Sequence, residues 1–171
     1  MTTTARSFER PAPTLRARLT ALALGRGIVD RLPDAAAWIV SLPLLAGRLW
    51  LADIFFRAGR VRIESWESQA FLFTSIHPVP FVPASITAPL TTAAELGLPV
   101  LLAFGLLGRL GAFGLMVMAM VIQFVVAQTP QGIENGIGNP VHYGWMLAGL
   151  ILTVTGPGRL SLDALLARRL A

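Results

Sequence analysis

The sequence predicts an all-α membrane protein: a four-transmembrane-helix bundle with N- and C-terminal cytoplasmic surface helices. Three observations lead there. Hydrophobic residues make up 54% of the 171 residues and charged residues only 13%, about half the charged share of a soluble domain. Four stretches approach the ~20 apolar residues that carry a helix across a bilayer. The polar sequence left over is too sparse to wrap four such helices in water. Mean hydropathy is +0.66, which excludes a disordered chain and a nucleic-acid-binding domain. Cysteine is absent, so disulfides, thiolate metal sites and thiol redox chemistry are excluded within this chain.

Residues 1–34 form a basic leader. Its longest apolar run lies around Leu22 and Leu24, too short for the core of a secretory signal. Residues 14–32 read as a basic amphipathic helix on an anionic leaflet, or as a loose polar leader. The membrane domain, 35–155, holds four spans at 35–56, 87–107, 110–127 and 141–155. Every basic residue is Arg. Ten of them, from Arg6 to Arg31 with Arg109, Arg159, Arg168 and Arg169, fall on one side of the spans; only Arg57, Arg60 and Arg62 fall on the other. Both termini are therefore expected in the cytoplasm, with the chain multi-pass in a bacterial inner membrane. Gly156-Pro157-Gly158 ends the fourth span. In the closing segment, 156–171, Ser161 can cap a cytoplasmic amphipathic helix over 162–170, with Asp163 in its first turn.

The long connection between the first two spans carries Trp66, Phe71 and Phe73, aromatic rings suited to a membrane interface. His77, Pro78, Pro80, Phe81 and Pro83 follow, and the prolines favour an extended, polyproline-like backbone. This segment is expected to fold over the outer mouth of the bundle, as a plain cap or as a lid over a ligand or partner site.

Polar groups inside apolar spans are the most informative residues, because an unpaired charge there costs several kcal/mol. Counted from the expected outer ends of their spans, Arg48 and Glu95 both lie ~12 Å deep, and they are expected to pair. Asp53 is expected to reach Arg57 at i+4. With Gln123 and His142, these residues give a polar cluster in the outer half of the bundle: Arg48, Asp53, Glu95, Gln123 and His142. Two readings stand: ion pairs that specify helix packing, or a pocket for a quinone headgroup, a small ligand or a proton. Pro99 removes the N–H that would bond the Glu95 carbonyl.

A metal site is not expected. The histidines are His77 and His142 alone, and in the run Met116, Met118, Met120 the middle side chain leaves the helix on a different face. Gly105, Gly108, Gly111 and Gly114 read as close-packing residues of a tight helical hairpin, not as a nucleotide loop. Nothing in the chain supports a catalytic residue.

With these residues in view, the chain resembles the DoxX family of four-helix membrane proteins from about Arg48 to Leu166. The resemblance rests on Arg48-Leu49 with Ala58-Gly59, on Glu95-Leu96-Gly97 leading to Gly105-Leu106-Leu107-Gly108-Arg109-Leu110, and on Gly156-Pro157-Gly158-Arg159-Leu160-Ser161-Leu162-Asp163. The segment 77–83 with Val121-Ile122-Gln123 looks like a subgroup associated with metal-responsive peptide-modification operons. What the resemblance implies is an accessory membrane subunit of a quinone-linked redox complex, with a protein partner and no catalysis of its own. The other reading is a non-enzymatic scaffold or assembly factor tied to copper stress or peptide export. Homo-oligomerisation is compatible with both. A small transporter is disfavoured, since polar residues occupy one half of the bundle and no inverted repeat is visible.

Overall fold

A computed structural model describes residues 28–169. Most of the leader, including residues 14–27 of the helix expected over 14–32, lies outside the described residues, as does Leu170; what is described of the leader begins with a 3-10 turn at Ile28–Arg31. The described chain is helical, with α1 Asp34–Glu64, α2 Gln69–Phe71, α3 Ala84–Phe104, α4 Gly108–Phe124, α5 Pro130–Glu134, α6 Val141–Thr155 and α7 Leu162–Arg169, and no strand among those residues. Three helices are long and apolar enough to cross a membrane: α1, α3, and α4 continued through the turn to Gln128. The fourth apolar helix, α6, has the bounds expected of it and only 15 residues.

Periodicity explains the packing. The buried positions of α1 run Ala37, Ser41, Leu44, Arg48, Leu51, Phe55 and Gly59, a stripe at helical spacing. The stripe of α3 runs Ala88, Thr92, Glu95, Pro99 and Leu102. These stripes face each other; α3 also packs on α4, α4 on α6, and α6 returns to α1. Leu51, Phe55, Leu102, Leu115 and Leu152 meet at the centre. Outward faces stay apolar, with Ile39, Leu42, Trp50, Leu90 and Leu147 all exposed. Lipid is a solvent for such surfaces, so close packing, not water exclusion, must hold the helices together. Small residues supply it. A Cβ at Gly111 would stand 3.0 Å from the Leu98 carbonyl oxygen and 3.1 Å from the Leu102 nitrogen, so only glycine lets α4 lie this close to α3.

Helix α1 outruns its expected end at Phe56 and continues to Glu64. Two i,i+4 pairs, Asp53 with Arg57 at 2.7 Å and Glu64 with Arg60 at 3.2 Å, line the extension. At the other end of the molecule, α3 stops where Gly105 turns left-handed (φ +64°), the Leu106 N–H reaching back to the Leu101 carbonyl at 3.0 Å. Leu107 is left-handed too (φ +50°) and offers α4 no side-chain cap. Asp163 of α7 takes that role, accepting the Leu107 and Gly108 N–H groups at 2.9 Å each. After α6, Gly156 and Gly158 adopt positive φ and the Arg159 N–H bonds the Ser41 hydroxyl at 2.8 Å. Ser161 then caps α7 through the Ala164 N–H at 3.2 Å.

Candidate functional site

The extension of α1 brings Arg62 onto the face that meets α3. Its Nε–H donates to the Glu95 carboxylate at 2.5 Å, and its Nη1 reaches the Gln69 side-chain oxygen at 3.4 Å. The guanidinium also stacks over the Phe73 ring, 4.9 Å from its centre. The Glu95 side chain is 3% exposed and that of Arg62 16%, so the pair is largely withdrawn from solvent while the cation keeps an outlet.

Beside this pair lies a partly open cavity of about 290 Å³. Its walls are Leu90, Ala94 and Leu98 of α3 and Val117, Val121 and Ile122 of α4. Spacings of four on α3, and of four and five on α4, make this one continuous trough between two helices. Arg62, Phe73, His77 and Val79 close its upper end. His77 is half-buried and its Nδ1 is buried without a hydrogen-bond partner among the described residues. Burial, and then the charge of Arg62, hold its pKa below the usual histidine value.

The expected polar cluster is dispersed. The pairing expected between Arg48 and Glu95 does not form: Glu95 belongs to Arg62, and Arg48 lies midway along α1, well below the level of Glu95. The equal depths follow only if α1 ends at Phe56, and it runs on to Glu64. Gly59 sits against Glu95, and it is eleven positions beyond Arg48, so the two charges differ in height by about 16 Å. Arg48 is fully buried, donates to the Leu160 carbonyl at 2.6 Å and feels the charge of Asp163. A Cβ at Gly105 would overlap its guanidinium. Asp53 does meet Arg57, at 2.8 Å from Nε, but on an exposed face.

Gln123 and His142 are brought together. The His142 Nδ1 lies 2.7 Å from the Gln123 side-chain oxygen, which also accepts the Asn139 N–H at 3.1 Å. The His142 ring leans on Trp145, which meets Phe55 edge to face. This is a link between α4 and α6, separate from the trough.

In the segment 77–83, His77, Pro78 and Val79 lie against the bundle while Pro80, Phe81 and Pro83 are exposed. The backbone is not extended throughout: the Val82 N–H bonds the Val79 carbonyl at 3.3 Å and Phe81 is left-handed (φ +67°), its side chain fully in solvent. Among the described residues no group of three His, Asp or Glu is placed to hold a metal.

Two residues of weight escaped the sequence reading. Arg62 lies beyond the expected end of the first span, yet the stripe Arg48, Leu51, Phe55, Gly59 points straight to it at the next helical step. Asp163 is a first-turn acid of α7 as expected, and its second role follows from a helix beginning at Gly108 with no Ser, Thr, Asp or Asn just before it, which needs an acceptor from elsewhere.

Apolar helices with outward apolar faces, packed through glycines and holding their ionic groups inside, define an integral membrane protein. The DoxX family profile matches residues 43–128, a stretch that contains Arg48, Arg62, His77, Glu95 and the trough. An uncharacterized protein of Haemophilus influenzae (strain ATCC 51907 / DSM 11121 / KW20 / Rd) is 35% identical over 132 residues, covering 73% of this chain and 83% of the relative. The chain belongs to the DoxX family. No solved structure matches it.

Proposed function

We propose that this DoxX-family protein is an accessory subunit of a quinone-linked redox complex in a bacterial inner membrane. In this reading α1, α3, α4 and α6 all span the bilayer as a four-helix bundle, both termini are cytoplasmic, the leader and α7 lie on the cytoplasmic surface, and a protein partner supplies the catalysis. The observation that carries it is the trough between α3 and α4 ending on His77 and on Arg62, itself held by Glu95: a mostly apolar trough with one charged end is the shape of site a chain-bearing headgroup needs. Glu95 stays in the proposed site, Arg62 replaces Arg48 as its partner, and Gln123 with His142 fastens α4 to α6.

The test is purification in mild detergent followed by lipid extraction, alongside respiration of a deletion strain. The reading expects co-purified quinone, a stoichiometric partner subunit and impaired quinone-dependent respiration. Quinone-free protein together with unchanged respiration would overturn it. Phe81, fully exposed at the apex of a proline-bounded turn, favours a second reading as a scaffold. That reading expects partner loss on replacing residues 80–83 while the bundle stays folded, and its copper-stress form expects deletion to alter copper sensitivity.

A further inference from the structure

The trough has a polar end whose charges cancel. Arg62 is paired with Glu95, so a negatively charged headgroup would meet a cation already neutralised and a carboxylate beside it. A phosphate gains little from such an end, whereas a neutral head with a carbonyl or hydroxyl group does not incur the cost of displacing Glu95. His77 Nδ1 is the group left wanting: a buried ring nitrogen with no partner among the described residues, in a side chain whose burial and neighbouring guanidinium favour the uncharged form. A neutral imidazole nitrogen donates to a carbonyl in one tautomer and accepts from a hydroxyl in the other. Below it, Leu90, Ala94, Leu98, Val117 and Val121 offer only hydrocarbon, with the Thr91 hydroxyl the one polar side chain among the α3 and α4 walls.

We propose that the trough between α3 and α4 binds a neutral, single-chain, lipid-soluble molecule, its oxygen-bearing head hydrogen-bonded to His77 and its chain lying between the two helices. This rests on the quinone-linked reading above and deepens it, by naming the seat of the headgroup and the charge it must carry. The lipid-exposed side of the trough, at Leu90 and Val117, lets the chain enter from the bilayer without crossing the bundle.

The experiment uses the full chain purified in detergent and two probes with the same decyl tail, a decyl-substituted benzoquinone and decyl phosphate, titrated calorimetrically. The quinone is expected to bind at least tenfold more tightly than the phosphate. H77F, which keeps an aromatic ring of similar reach but no nitrogen, is expected to weaken quinone binding about tenfold; V117W, which fills the trough from its lipid side, is expected to abolish it. Melting temperatures of both variants verify that they fold, and V117W carries the test should H77F not fold. Phosphate binding as tightly as quinone would overturn the proposal in favour of an anionic lipid site. Quinone affinity unchanged in V117W, or no binding to the wild-type chain, would overturn it as well. Such a failure leaves the accessory role standing on its partner and on respiration, which this titration does not touch.

Discussion

The Glu95 carboxylate accepts the Arg62 Nε–H at 2.5 Å across the seam of α1 and α3, where the opposing glycine, Gly59, would place a Cβ 3.0 Å from the Glu95 Cβ. A small residue next to an ion pair brings two backbones close enough for a short contact between otherwise long side chains. The pair therefore marks the height at which α1 and α3 are locked together.

Removing one partner from such a pair strands the other. Glu95, at 3% exposure, has no route to water, while Arg62, at 16%, has a partial one. R62M should therefore destabilise more than E95Q, by about 3–5 kcal/mol against about half that. The double variant R62M/E95M should lose less than R62M alone, because no lone charge remains. R48M and E95Q, ~16 Å apart along the bundle, should combine additively. Thermal or SDS unfolding of the variants in detergent reads all of these; strong coupling between Arg48 and Glu95 would contradict the register described here.

The sequence makes the helical content, the end of α6 and the cap at Ser161 legible because each is local: apolar run length, a Gly-Pro-Gly stop, a hydroxyl before a helix. The height of each charge is not local. It depends on where α1 ends, and Arg57, Arg60 and Arg62 look like a polar loop until Asp53 and Glu64 are paired with the first two along the helix and Glu95 with the third across the seam. One misplaced terminus moved Glu95 from Arg62 to Arg48. The role of Asp163 was hidden for a related reason: its partners at Leu107 and Gly108 are backbone groups more than fifty residues away, and backbone donors carry no sequence signature.

Asp163 holds two N–H groups that α4 cannot satisfy by itself and faces the charge of Arg48. D163A should cost about 3–5 kcal/mol, since it leaves a buried guanidinium without its counter-charge as well as two open donors. D163N, which keeps one acceptor oxygen, should fall between wild type and D163A. Accelerated proteolysis of the segment after α6 is the accompanying sign that α7 has come loose. Equal stability of all three proteins would show that the α4 terminus is satisfied by other groups.

Gly111 tests the close approach of α3 and α4. The atoms its Cβ would meet are the Leu98 carbonyl oxygen and the Leu102 nitrogen and Cα, all backbone, so no side-chain rotation can make room. G111A should therefore destabilise by about 1–3 kcal/mol despite alanine's better helix propensity. G47A, at a position with open space around it, is the control and should be neutral or slightly stabilising. Measured side by side, similar losses for the two would mean that glycine matters here for backbone freedom and not for packing.

His77 should make stability depend on pH. Its burial, and then the charge of Arg62, lower its pKa in the folded protein, while the unfolded chain titrates near ~6.5. Below that value the unfolded chain binds a proton that the folded one resists, so the contribution of His77 is complete above it and declines as the pH falls through it. Wild-type unfolding midpoints should therefore drop on going from about pH 7.5 to about pH 5.5, and H77F should show a shallower fall over the same window. Other groups titrate in both proteins alike, so the difference between the two curves isolates His77. Parallel curves would mean that the imidazole is as accessible to protons in the folded protein as in the unfolded chain, and the closed upper end of the trough would have to be given up.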